Sequence, residues 1–460
     1  MKAIMPVFDE DSSRATYLQL YDHIKDEIVD RSIVPGEKLP SLRNLSASLG
    51  LSLTTVEGAY NQLAVEGYIS SRPQSGFYVS DMFYPGKESD SENEELTNND
   101  AEFSMNVPCM KYDLSCFDFT KWKKCISCVL NDHPQTLLFE SDPNGEEALR
   151  MEISKYVYAA RGVRCSPDQI VVGAGTQQIT SLLASLLDKI GFSNVATEDP
   201  GYLPVTGMFR DCGFSITPVP VEKDGIDIDK LPSNIRCAAY VNPSNQFPTG
   251  AVMAAGKRYR LLDWASKNNS YIIEDDYDSE LRYFGKPIPS LHSLDTDGRV
   301  IYLGSFSSTL FEAVKISYMV LPDALSSVFD KISDGHSQTC SKTEQLALAI
   351  FMEKGHYRTG IKKLRRLYSQ KLQKVLKTIP DDDFITVLNA NSGINMRISV
   401  KSPKPASKLC REAEELGIYA VPLVAFTDEP LSKALIFYYN RIPLDTLGPS
   451  LVSLFHKWKS

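Results

Sequence analysis

One short segment of the chain carries backbone groups suited to binding a phosphate. Gly173-Ala174-Gly175-Thr176 lies between an apolar run and a helical pattern. A helix that begins there directs its first N–H groups, together with the Thr176 hydroxyl, toward an anion. The same residues are also typical of an ordinary helix cap, so this signal alone is weak.

Three further segments supply groups that suit a planar, polar ligand. Tyr202 follows Glu198-Asp199-Pro200-Gly201 and offers a ring for stacking. The loop Asn242–Gly250 supplies amides, and the run from Ile273 to Asp278 ends with a carboxylate and a phenol. Each segment also has a purely structural interpretation as a turn or a packed ring.

The elements that must position these groups alternate between strand and helix from Asp113 onward. Short apolar runs separated by helical patterns indicate a mainly parallel sheet, in which ligand groups collect at the carboxyl ends of the strands. The predicted strands are 170–172, 194–196, 238–241, 271–273 and 300–303.

The first eighty residues have a different pattern. Apolar residues at helical spacing predict a first helix through Ile28. Ser41 is suited to cap a second helix that ends at Gly50. Ser52 is suited to cap a third, in which Val56, Tyr60 and Leu63 face a core. Two helices around a glycine turn indicate a helix-turn-helix, and the two short β runs that follow predict a hairpin, or wing.

Composition sets limits on these interpretations. The net charge is −9, and residues 1–80 hold seven basic and ten acidic residues, so DNA binding must depend on local charge. No apolar run is long enough to cross a bilayer and no signal peptide is evident.

Nine scattered cysteines fit a reducing cytosol. The segment Cys125-Ile126-Ser127-Cys128 is a lone CxxC, and we interpret it as two helix cysteines with no metal site.

The stretch PGEKLPSLRNLSASLGLSLTTVEGAYNQLAVEGYISSRPQSGFYV resembles the GntR-type winged helix-turn-helix over its whole length. The resemblance implies that double-stranded DNA is a partner. Leu53 stands where this family usually has an arginine, which should change affinity or base preference. The residues that the resemblance places near DNA are Arg43, Ser52, Thr54, Thr55, Tyr60, Arg72, Ser75 and Gly76.

The remainder resembles fold-type I aminotransferases, and the whole chain resembles the MocR/GabR-type regulators that join both parts. The phrases that carry this resemblance are DPNGEEALR, RGVRCSPDQIVVGAGTQQ, EDPGY, NPSNQFPTG, EDDYDSELRY, GSFSSTLFEAVKISYMVLP and EQLALAIFMEKGHY. The implied fold class is an α+β winged helix-turn-helix domain, then an α/β pyridoxal 5′-phosphate (PLP)-dependent transferase-like domain. This second domain has a mainly parallel sheet and a smaller C-terminal α/β subdomain.

The resemblance also implies roles for individual residues toward PLP. Asp275 would pair with the pyridine nitrogen, and Tyr277 would bond the ring oxygen with help from Asn245 or Gln246. Tyr202 would stack on the ring. Arg441, in a strand predicted over Leu435 to Asn440, would bind an amino-acid carboxylate. The residues implied to hold the phosphate are Gly175, Thr176, Ser305 and Lys315.

The departures from the family pattern concern the chemistry. Ser308 occupies the position of the lysine that forms the Schiff base, and a hydroxyl cannot replace an amine there. Lys315 replaces a phosphate-binding arginine and Ser317 replaces a glycine. Asn245 stands where relatives often carry histidine. We therefore assign no catalytic residue.

These observations favour a cytoplasmic, homodimeric, DNA-binding transcriptional regulator over an enzyme. Its aminotransferase-like domain would sense a small ligand non-covalently, and this ligand would be PLP, a PLP–amino acid adduct or an amino acid. The residues leave open whether PLP binds at all. The alternatives are a PLP-dependent aminotransferase with an accessory DNA-binding domain and a protein-interaction scaffold.

The predicted domains follow the same division. The winged helix-turn-helix occupies residues 10–80 and the aminotransferase-like effector and dimerisation domain occupies residues 106–460, with the small subdomain at about 341–460. Between them, residues 81–105 form a predicted flexible linker. Within it, Glu88–Glu102 holds seven acidic residues and no basic one, which disfavours folding.

Overall fold

A computed structural model of the chain describes residues 6, 8, 15–30, 32–72, 75–80, 113–282, 289–333, 335–390, 393–423 and 434–460. The chain divides into two compact units, Met1–Met105 and Asn106–Ser460. The predicted linker, residues 81–105, lies outside the described residues. The limits predicted for the small subdomain stay a prediction.

The N-terminal unit is a winged helix-turn-helix. Its elements are α1 (Thr16–Val29), α2 (Leu42–Leu49), α3 (Leu53–Val65), β1 (Ile69–Arg72) and β2 (Gly76–Val79). The strands β1 and β2 pair antiparallel and form the wing. A core that includes Leu20, Ile24, Val56 and Leu63 joins the three helices. The prediction of this fold is confirmed.

Local hydrogen bonds set the helix-turn-helix boundaries as the sequence predicted. The Ser41 Oγ accepts from the Asn44 N–H at 3.2 Å, and the Ser52 Oγ accepts from the Thr55 N–H at 3.1 Å. Between the two helices Gly50 has a φ of 66°, in the left-handed region that glycine adopts without strain. The turn is therefore encoded within a few residues.

The second unit contains an eight-stranded sheet in the order β3-β10-β9-β8-β7-β4-β5-β6. The four pairs β5–β4, β4–β7, β7–β8 and β8–β9 are parallel, which confirms the mainly parallel sheet. β10 runs antiparallel to both β3 and β9, and β6 runs antiparallel to β5. The strands are β3 (Ile170–Gly173), β4 (Asn194–Asp199), β5 (Ser215–Glu222), β6 (Gly225–Ile226), β7 (Ala238–Val241), β8 (Tyr271–Asp275), β9 (Val300–Ser305) and β10 (Ser317–Val320).

Helices cover both faces of this sheet. Along β10, Tyr318 and Val320 pack into one apolar core while Met319 packs into another, as expected for alternating side chains. The helices of this part are α4 (Phe119–Asp132), α5 (Glu147–Arg161), α6 (Thr176–Lys189), α7 (Leu203–Asp211), α8 (Ala255–Lys267), α9 (Leu291–Leu294), α10 (Asp323–Ser333), α11 (Lys342–Glu353) and α12 (His356–Thr378).

A smaller antiparallel sheet follows, in the order β11-β12-β14-β13. Its strands pack with α12, α13 and α14 around a separate core that includes Leu372, Ile398 and Trp458. The elements are β11 (Ile385–Asn389), β12 (Met396–Val400), α13 (Ala406–Glu414), β13 (Ala420–Pro422), β14 (Ala434–Phe437) and α14 (Leu444–Lys459). This is the predicted C-terminal α/β subdomain.

The last strand is shorter than the sequence suggested. β14 ends at Phe437, whereas the prediction extended the strand to Asn440. The Asn440 carbonyl instead accepts a hydrogen bond from Lys371 Nζ of α12 at 2.5 Å. The contact with the helix replaces strand pairing at that position.

The CxxC pair lies within α4. Cys125 is buried in the core, and the Cys128 thiol donates to the Asp132 carboxylate at 3.1 Å. In the described residues no His, Cys, Asp and Glu side chains cluster in a way that suits a metal ion. None of the described helices combines the length and apolar character needed to span a bilayer.

Candidate functional site

The N-terminal unit exposes polar groups at the start of α3. Ser52 and Thr54 are exposed and Thr55 is half-buried. The Ser52 hydroxyl lies 2.8 Å from the Thr54 hydroxyl and 2.7 Å from that of Thr55. The exposed Arg43 lies in the preceding helix. Hydroxyl groups and helix N-termini are common phosphate ligands in protein–DNA complexes.

The wing presents a second set of groups. The Arg72 guanidinium stacks on the Tyr78 ring at 4.3 Å, and the Ser75 hydroxyl lies 2.6 Å from the Tyr78 hydroxyl. Gly76, with a φ of 109°, begins β2. Lys38, which the sequence analysis missed, is exposed. Its backbone pairs with that of Tyr78 in an isolated antiparallel bridge, and its Nζ lies 5.8 Å from the centre of the Tyr78 ring. Two cationic side chains, Arg72 and Lys38, therefore lie near the Tyr78 ring of the wing.

The structure corrects the prediction for Tyr60. This side chain is fully buried in the core of the N-terminal unit. Its hydroxyl donates to the Pro40 carbonyl at 3.0 Å, and its ring meets Phe77 edge-on at 5.1 Å. The phenol is therefore engaged inside the domain and is not available to contact DNA.

In the second unit, a cavity of about 560 Å³ lies at the carboxyl ends of the parallel strands. Seven residues predicted to bind PLP line it together with Ser308. Its lining includes Gly175, Thr176, Tyr202, Asp275, Tyr277, Ser305, Ser308 and Lys315. We call this the first cavity.

One end of the first cavity is suited to an anion. Thr176 is the first residue of α6, so the unpaired N–H groups of that helix point there. A Cβ on Gly175 would lie 3.9 Å from Lys315 Cδ, so the lysine faces the start of the helix closely. The Ser305 hydroxyl accepts from Ser317 at 3.0 Å. Ser317 therefore orients the Ser305 hydroxyl at this end of the cavity.

Another part of the wall of the first cavity contains the carboxylate of Asp275. Asp275 ends β8 and accepts a hydrogen bond from the Tyr240 hydroxyl. Asn242 Nδ2 donates to the Asp275 carbonyl at 3.1 Å and fixes the strand end. Burial raises the pKa of Asp275 to about 6, and the Tyr240 hydrogen bond opposes that shift. A cationic partner would favour its charged form.

Aromatic rings complete the lining. Tyr202 meets Phe247 edge-on at 5.8 Å, and Phe247 meets Tyr277 at 6.3 Å. Burial raises the pKa of Tyr277 far above its usual value, so its phenol stays protonated and can donate. The rings supply an apolar wall beside a hydrogen-bond donor.

Ser308 lies in the lining of the first cavity, beside the buried carboxyl of Asp278. Burial raises the pKa of Asp278 to about 6, and the Ser308 hydroxyl is the main group that opposes this rise. The Ile394 N–H also faces this carboxyl and lowers its pKa, although neither oxygen of Asp278 has a hydrogen-bond partner of normal geometry. The sequence analysis did not single out Asp278, which adopts a φ of 58° one residue after Tyr277.

Two side-chain amides that were predicted to help bind PLP lie outside the lining of the first cavity. Asn245 is not in the lining of the first cavity, although its Nδ2 lies 3.5 Å from the Tyr277 hydroxyl. Gln246 is fully buried and uses its amide on the Pro200 carbonyl and the Thr249 N–H. Both amides therefore contact residues around the cavity without lining it.

Arg441 is also outside the lining of the first cavity, in contrast to the prediction. It lies in the turn after β14, donates to Glu312 at 2.7 Å and stacks over Tyr419 at 4.7 Å. Its guanidinium is engaged in an ion pair with a partly exposed glutamate.

Glu198 is a further buried acid that the sequence analysis left unassigned. Its Oε2 accepts from the Asn242 N–H at 3.1 Å and from Gln246 Nε2 at 3.2 Å. Burial raises its pKa to about 8. The side chain ties two loops of the site together in a largely protonated form at neutral pH.

Comparison with known proteins identifies both parts. Residues 16–79 match the gntR family of bacterial regulatory proteins, and residues 111–430 match aminotransferase class I and II. Among solved structures, an archaeal alanine:glyoxylate aminotransferase is 22% identical with a TM-score of 0.67, over 76% of this chain and 90% of that one. The α-aminoadipate aminotransferase LysN of Thermus thermophilus is 23% identical with a TM-score of 0.65, over 76% and 90%. These likenesses show the fold.

Relatives that match nearly the whole chain are regulators. The HTH-type transcriptional regulator YdeL of Bacillus subtilis is 34% identical over 99% of each chain. The probable rhizopine catabolism regulatory protein MocR of Rhizobium meliloti is 29% identical over 98% of this chain and 95% of its own. PdxR of Corynebacterium glutamicum, a pyridoxine biosynthesis regulator, is 31% identical over 84% and 83%. The chain therefore belongs to the MocR-type family of DNA-binding transcriptional regulators, in which a GntR-family helix-turn-helix precedes a class I and II aminotransferase domain.

Proposed function

We propose that this regulator senses a small ligand non-covalently in the first cavity, with PLP or a PLP–amino acid adduct as the ligand class. One observation carries the proposal. The cavity brings together a phosphate-binding helix start, a carboxylate and aromatic rings, while a hydroxyl, Ser308, stands at the position of the Schiff-base lysine. The aminotransferase activity therefore lacks its amine, and we propose that the chain is not an enzyme.

The residues present fit PLP. Gly175, Thr176, Ser305 and Lys315 would bind the phosphate through helix N–H groups, hydroxyls and one ammonium charge. The Gly175 cradle has no Cβ to obstruct an anion, and its φ of 88° suits glycine. These features support the proposal that the phosphate binds at this end of the cavity.

The ring would be held by the remaining lining residues. The Asp275 carboxylate would pair with a protonated pyridine nitrogen, and the Tyr277 phenol would donate to the ring oxygen. Tyr202 would stack on the ring. When bound, PLP supplies an aldehyde that reacts reversibly with amines, and Ser308 leaves that aldehyde free for an effector amine.

A calorimetric titration of PLP into the full-length protein tests this proposal, with an absorbance spectrum of the same sample. We expect saturable binding without covalent attachment. Lys315→Met should weaken binding of PLP by about tenfold or more, because a charge-assisted contact contributes about 1.5–3 kcal/mol. Unphosphorylated pyridoxal should bind wild type and variant alike. Absence of PLP binding would refute the proposal.

For the DNA side, we propose that Arg43, Ser52, Thr54, Thr55, Arg72, Ser75 and Gly76 contact DNA, without Tyr60. The supporting observation is the exposure of most of these groups around α3 and the wing. Salt-dependent binding to the DNA upstream of its own gene tests the proposal. Such a function places the protein in the cytoplasm.

We also propose that the second unit forms a homodimer. Leu138, Phe139 and Leu114, all of this unit, are 82%, 73% and 78% exposed. Large apolar side chains in such numbers are typical of an interface. Sedimentation should show a dimer in the wild type and a shift toward monomer in Phe139→Asp, with Val452→Asp on α14 as the matched exposed control.

A further inference from the structure

The start of α3 exposes a large apolar side chain. Leu53 is the first residue of α3 and is 44% exposed. It belongs neither to the core of the N-terminal unit nor to the partly buried side chains packed against that core. The buried positions of α3 are Val56, Ala59, Tyr60 and Leu63. Packing in the core therefore does not account for a leucine at position 53.

The polar side chains next to Leu53 bond to one another. The Ser52 hydroxyl caps α3 by accepting from the Thr55 N–H at 3.1 Å. It also lies 2.8 Å from the Thr54 hydroxyl and 2.7 Å from the Thr55 hydroxyl. Serine and threonine side chains are shorter than leucine, and these three are tied to the helix start. Leu53 is therefore the longest side chain of this turn.

The fold places this turn at the base pairs of bound DNA. In a helix-turn-helix the second helix lies in the major groove, and its N-terminal residues contact base edges. Here α3 is that second helix. The Leu53 side chain has no donor, acceptor or charge with which to bind a phosphate or a polar base edge. The apolar group that base pairs present in the major groove is the C5-methyl of thymine.

Glu57 lies one turn further along the same face of α3. Residues i and i+4 of a helix are neighbours on its surface, and Glu57 is exposed. Among the described residues, no basic side chain forms an ion pair with it. Because phosphates repel a carboxylate, Glu57 suits this face only where it meets a donor on a base. In the major groove, carboxylates accept from the N4 amino group of cytosine.

We propose that Leu53 and Glu57 determine the base preference of this regulator. Leu53 packs against the C5-methyl of a thymine, and Glu57 accepts from the N4 amino group of a cytosine. Arginine, which the GntR-type pattern usually has at position 53, pairs with guanine, so the leucine changes the preferred base. This inference rests on the proposed contact between α3 and DNA and goes beyond it, because it names the bases.

The test begins with selection of preferred sequences from a random pool of double-stranded DNA by the full-length protein. We expect a fixed thymine and a fixed cytosine in the selected sequence. Replacing the thymine by deoxyuridine removes its methyl group alone. This replacement should weaken binding of the wild type about fourfold, the effect of burying one methyl-sized group. Leu53→Ala, which lacks the contact, should bind the two duplexes with similar affinity.

Variants assign each base to its side chain. Leu53→Arg should change the selected thymine to guanine, and Glu57→Gln should change the selected cytosine to adenine, because arginine and glutamine pair with those bases. Val65→Ala is the matched control, since Val65 is an exposed apolar residue at the other end of α3. It should retain the fourfold difference between thymine and deoxyuridine.

Two results would overturn the inference. One is equal affinity of the wild type for thymine and deoxyuridine at every position of the selected sequence, a comparison that requires no variant to fold. The other is an unchanged preference for cytosine in Glu57→Gln. Salt-dependent DNA binding without these preferences would refute this inference alone. Absence of binding to any DNA would refute the proposed DNA contacts as well.

Discussion

Arg161 and Asp276 form a buried ion pair between the end of α5 and the end of β8. Arg161 Nε lies 2.6 Å from Asp276 Oδ2, and its second nitrogen lies 2.8 Å from Oδ1, so the contact is bidentate. The Tyr302 hydroxyl also donates to Asp276, at 2.6 Å. This pair fixes the segment that carries Asp275 and Tyr277 against the end of α5.

Removing this arginine should destabilise the protein strongly. Arg161→Met leaves the Asp276 carboxylate buried without its counter-charge, and such losses cost about 3–5 kcal/mol. The free energy of unfolding of the second unit, measured by urea denaturation, tests this. Lys267→Met breaks the exposed pair with Asp263 and should cost less than about 1 kcal/mol. Similar losses in the two variants would contradict the assigned role of burial.

Tyr60 should affect stability but not DNA recognition. Tyr60→Phe removes the hydrogen bond to the Pro40 carbonyl and should cost about 1 kcal/mol of stability in the N-terminal unit. The salt dependence of DNA binding should be unchanged. Arg43→Ala, at an exposed position, should lower DNA affinity and, if it contacts a phosphate, reduce the salt slope by about 1. A changed slope in Tyr60→Phe would place its hydroxyl back at the DNA.

Restoring an amine at position 308 should restore covalent attachment of PLP. In Ser308→Lys, the new amine enters the first cavity beside the Asp278 carboxyl and can bond to the PLP aldehyde. Borohydride treatment followed by mass spectrometry of the intact chain should show one added PLP. The wild type already has Lys315 in the same cavity and is the control. Equal labelling of the wild type would mean that Lys315 serves as the anchoring amine.

Stability should fall as the pH rises from about 4.5 to about 8. Burial raises the pKa of Glu198 to about 8, so the folded state binds this proton more tightly than the unfolded state. That contribution is complete at low pH and is lost through pH 8. The pKa values of Asp275 and Asp278, each raised to about 6, act in the same direction at lower pH. A tenfold difference in proton affinity between the folded and unfolded states corresponds to about 1.4 kcal/mol of stability.

Glu198→Gln isolates this effect. The amide retains an acceptor for Asn242 and Gln246 but does not ionise, so the fall in melting temperature between about pH 6 and 8 should become shallower. Glu147→Gln, at an exposed position of α5, is the matched control. An unchanged pH slope in Glu198→Gln would show that Glu198 is already ionised in the folded protein.

Local features of the fold were predictable because their causes lie within a few residues. Ser41, Gly50 and Ser52 define the helix-turn-helix through caps that bond to the next turn. The alternation of apolar runs and helical patterns predicted a mainly parallel sheet. Because ligand groups collect at the carboxyl ends of parallel strands, the sequence also predicted that Thr176 and Asp275 would line the same cavity.

The direction of individual side chains depended on contacts between distant elements. The Tyr60 hydroxyl is buried and donates to the carbonyl of Pro40, a residue 20 positions earlier in the chain. Arg441 pairs with Glu312 instead of lining the first cavity. The helical spacing of Val56, Tyr60 and Leu63 indicated the buried face of α3, but no spacing along the chain specified the hydrogen-bond partner of Tyr60 or the ion-pair partner of Arg441.

The sequence by itself determined the two domains and most of the groups around the first cavity. Only the tertiary structure decided which buried oxygens, such as Asn245 Oδ1 and those of Asp278, lie without a hydrogen-bond donor of normal geometry. The physical reason is that caps and periodicity arise from neighbours along the chain. Whether a buried oxygen finds a donor depends instead on strands, loops and helices that meet only in the folded protein.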